Sequence, residues 1–364
     1  MVGTALSAYC RHGGIAYQIG MILIITEPGI FCPRPFEWCE IHPDGSVFLC
    51  CPAWLKRPIG NLLLEPARAI WNGGRAIELR KSILNRSYHN CNRKRCPFLT
   101  DPATAAVDQA GTQAAAAIAG GESRLDYPPQ KLNLCFDHSC NLACPSCRNE
   151  TRNSRGSERD SATRIAEPIL DQLLPGATQL TLSGYGDPFG SPVYFNLLKR
   201  IDTRSAPQLR ELRLHSNGLL FDEAHWRQLP ALHPLLRAVE ISVDAGSAAT
   251  YAENRGGDFL RLLHNLAFIA GLGVPLRLSM VIQQNNFAEI PQLFAIARSL
   301  GASLYLSRLV NWGTFSREEF RRRDVGDLTH PQHTRLREIL AEMAGREGFD
   351  PGNLAQPDVL QPGL

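Results

Sequence analysis

From Lys131 onward the chain alternates short apolar runs with longer amphipathic stretches, and this rhythm limits the fold more than any other feature. The runs at 131–136, 178–183, 210–215, 237–243, 274–281 and 303–308 read as strands. Between them, 159–174, 191–199, 221–229, 257–271 and 287–299 read as helices. Six strand–helix units argue for a parallel sheet covered by helices. A full barrel of this kind needs eight strands, so six close only part of one. The expected fold class is α/β, a partial (β/α)6 TIM-like barrel over 130–325, with a flat doubly wound sheet as the structural rival.

A smaller α+β domain is expected at 31–100. Trp38 to Cys51 reads as a hairpin around Pro43-Asp44-Gly45, where glycine tolerates positive φ. Leu64–Trp71 and Arg75–Leu84 read as short helices. The alanine-rich stretch after residue 101 lacks large apolar anchors, so 101–129 reads as an interdomain linker. Residues 1–30 stay unassigned. Their apolar run Ile15–Ile25 is too short to span a bilayer and suits a buried strand or a leader before the true start. The C-terminal 326–364 should hold one helix near 329–345 and an extended tail.

Net charge is +3, but residues 1–100 hold 12 basic against 6 acidic side chains, or +6, which leaves -3 for the rest. The basic part could meet an acidic partner or offset cysteine thiolates. No membrane partner is expected, and nucleic acid is not the favoured one. The eleven cysteines cluster: six fall in 32–96, four in 135–147, and Cys10 stands apart. Without a convincing secretory signal, such crowding favours metal ligation in a cytoplasmic protein over disulfides.

CNLACPSC places Cys140, Cys144 and Cys147 directly after the first strand of the repeating region. Three thiolates at this spacing can hold three irons of a 4Fe-4S cluster and leave the fourth iron for a small molecule. Spacing alone also allows a four-ligand zinc site completed by His138 or Cys135, or inert cysteines.

This motif resembles the radical S-adenosylmethionine (SAM) superfamily signature, and the resemblance extends over about 130–310. It implies a SAM-binding 4Fe-4S cluster on Cys140, Cys144 and Cys147, reductive cleavage of SAM and hydrogen abstraction from substrate. The aromatic usual before the third cysteine is Ser146 here, so Phe136 or Tyr185 would have to replace its packing on adenine. Gly184, Tyr185, Gly186, Asp187 and Pro188 resemble the segment whose backbone receives the SAM ammonium. Ser216, Asn217, Ser242 and Asp244 end later strands, and the resemblance implies SAM contacts for them. Asp244 could instead cap the next helix. Gln283, Asn285 and the segment 311–314 end the last two strands at the same mouth, with Trp312 either core or a lid.

Residues 32–96 resemble a SPASM or twitch auxiliary-cluster domain in their aromatic strand, Pro-Asp-Gly hairpin, Cys50-Cys51 pair, Ile59-Gly60-Asn61 and closing cysteines. Such domains normally follow the barrel, whereas this one precedes it. Cys32, Cys50, Cys91 and Cys96 are the favoured ligand set for a second 4Fe-4S cluster. Cys39 would be core or a further ligand, and structural zinc is the alternative. Arg93, Lys94 and Arg95 should raise the potential of that cluster.

The implied function is net oxidation of a small-molecule or carbohydrate-like substrate, aided by the auxiliary cluster and an external donor such as flavodoxin or ferredoxin. Peptide crosslinking or epimerisation is the alternative, with Cys39, Cys51 or Cys135 as a hydrogen donor in the latter. A zinc-bearing interaction or nucleic-acid module without catalysis is the non-enzymatic alternative.

Overall fold

The computed structural model describes residues 31–93, 96, 99 and 110–355. Six parallel strands follow one another in space in their chain order: β4 (Lys131–Leu134), β5 (Gln179–Leu182), β6 (Glu211–Ser216), β7 (Leu236–Ser242), β8 (Leu276–Ile282) and β9 (Ser303–Arg308). A doubly wound sheet would reverse its strand order part-way. This one never does, which excludes the flat rival and leaves the singly wound, partial barrel.

Alternation within each strand explains the curvature. Leu132, Leu134, Leu180, Leu182, Leu212, Leu214, Val239, Ile241, Leu278, Leu304 and Leu306 are buried. They form the apolar row against which the crossover helices pack, since right-handed crossovers put those helices on one side. The intervening positions are Asn133, Thr181, Arg213, His215, Glu240, Ser242, Arg277, Ser279 and Tyr305, and they line the concave face. Strand register carries this polar row across the sheet, as in His215↔Glu240 and Glu240↔Arg277.

The N-terminal domain is joined to this sheet edge to edge. Its hairpin strands β1 (Trp38–Ile41) and β2 (Ser46–Phe48) pair antiparallel, with β3 (Gly60–Asn61) beyond. Strand β1 then pairs parallel with β4, Trp38↔Lys131 through Ile41↔Leu134. With β10 (Phe349–Asp350) at the far edge, ten strands form one sheet.

The helices largely fall where the periodicity puts them, at Pro192–Arg200, Phe259–Ala270 and Ile290–Ser299. The 159–174 candidate is Gly156–Pro168 followed by a wider turn over Ile169–Leu173. Pro168 has no N–H to donate, so the hydrogen-bond ladder shifts there. Among the described residues, three helices escaped the sequence reading: Arg34–Glu37, Ala248–Arg255 and Arg317–Arg323. Residues 110–129 differ from the expected linker. Thr112–Ala119 is a helix with Ala114 and Ala117 fully buried. Small side chains let it approach closely, which replaces the missing large anchors. Downstream, Trp71 Nε1 donates to the Tyr127 carbonyl at 2.7 Å, Asn72 Nδ2 to the Leu125 carbonyl at 2.7 Å and Arg80 Nη1 to the Ser123 carbonyl at 3.2 Å. Arg80 is fully buried and lies 4.3 Å over the Trp71 ring, and desolvation lowers its pKa to about 9. The C-terminal helix is His333–Met343, shorter than expected, and β10 occupies part of the expected tail. The expectations for residues 1–30, 101–109 and 356–364 lie outside the described residues.

Candidate functional site

The cysteine loop leaves the end of β4 and is held at both ends by Asp137. This carboxylate is 1% exposed, and its Oδ1 accepts from the Ser139 and Ser154 hydroxyls at 3.1 and 2.6 Å. The Tyr194 hydroxyl meets the Asp137 N–H at 2.9 Å, and Cys140 N–H donates to the Arg152 carbonyl at 2.7 Å. Within the loop, Cys147 N–H donates to the Cys144 carbonyl at 2.8 Å, and Cys140 and Cys147 both lie in electrostatic reach of Cys144. Burial pushes the Cys144 thiol up to about 11; Arg255 opposes the shift, while Asp244, Cys140 and Cys147 add to it. Burial also raises the Cys140 thiol.

The glycine segment lies against this loop. Gly184 and Gly186 have φ of +87° and +71°. A Cβ on Gly186 would lie 2.3 Å from the Asp137 carbonyl oxygen and 2.8 Å from that of Ser139, so only glycine fits. Asp187 N–H donates to the Ser139 carbonyl at 2.9 Å. The Asp187 carboxylate is itself buried and accepts from Phe189 N, Gly190 N, Ser216 Oγ and Asn217 N at 2.8–3.0 Å. It therefore ties the end of β5 to the end of β6. Asn217 Nδ2 lies 2.9 Å from Asn141 Oδ1 and 3.6 Å from Cys140 Sγ. Pro188 is buried, whereas Gly184 and Tyr185 are exposed.

Other expected residues are placed differently from one another. Asp244 has φ +59° and is 1% exposed. Its Oδ1 accepts from Val281 N at 2.7 Å and its Oδ2 from Arg255 Nη1 at 3.0 Å. It does not cap the next helix; Ser247 does, accepting from Thr250 N. Ser242 Oγ meets Ser279 Oγ at 3.4 Å. Phe136 is buried edge-on against Tyr194, while Tyr185 packs on His138 and His42. Gln283 Oε1 accepts from Arg323 Nη1 and Asn285 Nδ2 donates to Asn254, so both serve the rim. Trp312 is 62% exposed and is not core.

In the N-terminal domain Cys50 and Cys96 lie in electrostatic reach of both Cys32 and Cys91. Burial pushes Cys32 up to about 12, with added repulsion from Cys50 and Cys96. Burial pushes Cys91 up to about 12, again with repulsion from Cys50 and Cys96. Trp54 Nε1 donates to Cys50 Sγ at 2.9 Å. Cys39 lies away from this set, packed among Val47, Ile59, Leu62 and Ile70. Cys51 lies in electrostatic reach of Cys50 and also of Glu40 and Cys135. The cation acting on Cys32, Cys50 and Cys51 is Arg34, which also lies over the Trp38 ring at 4.6 Å. Arg93 donates to the Ser87 carbonyl and opposes the upward shift of the Cys91 thiol, and Lys94 and Arg95 lie outside the described residues.

Both donor sets are made of thiols, the soft ligands that iron–sulfur clusters and zinc share. Among the described residues, Glu40, His42 and Cys135 are a further group of three possible donors, whose atoms lie within 4.8 Å of one another. All ten described cysteines are free thiols. Arg255 Nε is buried without a partner beside Cys144, an N–H suited to a bound anionic group.

Residues 136–296 match the radical SAM superfamily, and residues 32–97 match the SPASM iron–sulfur cluster-binding domain. The chain thus carries a radical SAM domain preceded by a SPASM domain. It is 32% identical to the PqqA peptide cyclase of Gluconobacter oxydans over 210 residues, covering 53% of this chain and 54% of that protein. It is 29% identical to the mycofactocin maturase MftC of Mycobacterium tuberculosis over 190 residues, covering 50% and 45%. The chain thus spans about half the length of these curated relatives. The structure of SuiB from Streptococcus suis bound to S-adenosylmethionine aligns at TM-score 0.43 and 17% identity, covering 79% of this chain and 65% of that one. Among the described residues, no helix is long and apolar enough to cross a membrane.

Sequence reasoning missed Arg255, Asp137 and Arg34. Arg255 ends a helix that was not foreseen. Asp137 and Arg34 sit within the motifs, where only their folded partners distinguish them from ordinary loop charges.

Proposed function

We propose that this chain is a radical SAM enzyme that abstracts hydrogen from a peptide substrate and leaves it oxidised, by forming a crosslink. The carrying observation is the convergence of the Cys140–Cys147 loop, the Gly184–Pro188 turn, Asn217 and Arg255 at the carboxyl ends of neighbouring strands, where barrel active sites are built. In this reading Cys140, Cys144 and Cys147 hold a 4Fe-4S cluster with one iron left to SAM, and Cys32, Cys50, Cys91 and Cys96 hold a second. When bound, cluster and SAM together supply a 5'-deoxyadenosyl radical for hydrogen abstraction.

The chain's own residues bind and orient. Gly184 and Gly186 let backbone groups approach the methionine end of SAM. Asp187 fixes that turn to Ser216 and Asn217, and Arg255 offers positive charge beside Cys144. Tyr185, exposed next to His138, offers the ring that Ser146 lacks. The polar concave row would receive the substrate.

A peptide replaces the small or carbohydrate-like substrate expected from sequence, because the relative at 32% identity is a peptide cyclase by name. An external electron donor and the oxidative outcome belong to the same reading. The test is anaerobic incubation with SAM, reductant and a short peptide encoded beside the gene. The reading expects 5'-deoxyadenosine and a peptide lighter by two hydrogens. Deoxyadenosine with sugars but never with peptides would overturn the substrate class.

A further inference from the structure

A third group of side chains with metal-binding chemistry belongs to neither cysteine set. Glu40 is on β1, His42 one residue beyond its end, and Cys135 one residue beyond the end of β4. The parallel register Glu40↔Asn133 and Ile41↔Leu134 makes His42 and Cys135 neighbours, with Glu40 on the same face. The carboxylate, imidazole and thiol donor atoms all lie within 4.8 Å of one another. His42 Nε2 is 2.6 Å from Glu40 Oε1. We propose that Glu40, His42 and Cys135 form a mononuclear site for a borderline-soft divalent cation of the zinc type.

Donor chemistry selects the cation. One thiolate, one imidazole and one carboxylate suit zinc, whereas magnesium and calcium take oxygen alone. Zinc bonds of about 2.0–2.3 Å put ligand atoms roughly 3.3–3.7 Å apart, so loading would open the 2.6 Å contact of His42 with Glu40 to admit the cation, within a group already spanning no more than 4.8 Å. The surroundings are those of a supported site. Asn133 Nδ2 donates to Glu40 Oε2 at 2.9 Å, and Ser183 Oγ donates to Asn133 Oδ1 at 2.7 Å. That chain orients the carboxylate as outer partners of metal ligands do. Phe48 and Tyr185 pack edge-on against the His42 ring at 4.9 and 5.9 Å. The thiol now donates to the Ile41 carbonyl at 3.2 Å, a contact that metal loading would exchange for a metal–sulfur bond with release of one proton. Three protein donors leave a tetrahedral cation one open position. Cys135 sits against Gly184, where a Cβ would come within 3.0 Å of the Cys135 Cβ. The cation would therefore stand beside the glycine turn.

The experiment uses the full chain, anaerobic, with its iron–sulfur clusters reconstituted and free metal removed, then loaded with cobalt(II) as probe. Cobalt-edge X-ray absorption should show one cobalt per chain with a single sulfur neighbour. Cys135→Ser should remove that sulfur neighbour with iron content unchanged, and His42→Ala should abolish tight binding. Asn133→Ala should weaken binding about 10–100-fold, the usual effect of losing an outer partner. Cobalt should still bind with its sulfur in the Cys140/Cys144/Cys147→Ala variant. Failure of the parent protein to retain cobalt would overturn the proposal and leave a hydrogen-bonded triad. So would a sulfur neighbour that survives Cys135→Ser, because the probe would then sit on a cluster cysteine. Neither readout depends on SAM cleavage, so loss of the peptide reading would leave this result intact.

Discussion

Arg255 Nη1 lies 3.0 Å from Asp244 Oδ2, and the pair sits within the field of Cys144 and Cys140. The Asp244 side chain is 2% exposed and the Arg255 side chain 12%. Desolvation works against the guanidinium's charge, yet its thiol and carboxylate neighbours raise its pKa overall. It is a fixed cation at the cysteine loop. Removing one partner of such a buried pair strands the other, at about 3–5 kcal/mol. Arg255→Gln should therefore lower unfolding stability by that order and reduce deoxyadenosine formation. The Arg255→Gln/Asp244→Asn double variant should regain much of the stability without regaining activity. Urea unfolding and product quantitation check the two halves separately.

Gly186→Ala should separate cluster assembly from SAM binding. The new Cβ meets backbone oxygen of Asp137 and Ser139, and φ +71° adds strain of about 1 kcal/mol or more. Neither effect touches a cysteine. Iron content should hold, while SAM affinity measured by equilibrium dialysis should fall at least tenfold.

Arg34→Gln should lower the reduction potential of the N-terminal cluster. Loss of positive charge beside Cys32 and Cys50 disfavours the more negative, reduced state. Arg93→Gln should shift it less, because Arg93 acts on Cys91 from an exposed position while donating to the Ser87 carbonyl, whereas Arg34 acts on both Cys32 and Cys50. Trp54→Phe removes the N–H to Cys50 Sγ and should shift the potential in the same direction as Arg34→Gln. Redox titration followed by electron paramagnetic resonance reads all three.

The six barrel strands were legible because each carries a period-two row of leucine, isoleucine or valine. The positions of the glycine turn and the cysteine loop were legible because each directly follows a strand whose apolar row marks it. The Thr112–Ala119 helix was not, since its burial comes from the smallness of Ala114 and Ala117 and not from any apolar anchor. The helix Ala248–Arg255 hides in a mixed stretch whose sole start signal is Ser247, so Arg255 had no recognisable address. The Glu40, His42 and Cys135 group was invisible for a topological reason. It depends on pairing between strands some ninety residues apart, and no local pattern encodes that register.

The most direct test of the account is iron and deoxyadenosine measured together, in the parent protein and in the Cys140/Cys144/Cys147→Ala variant. The account predicts about eight irons per chain in the parent, about four in the variant, and loss of deoxyadenosine in the variant alone. Deoxyadenosine persisting in the variant, or zinc in place of iron in the parent, would contradict it.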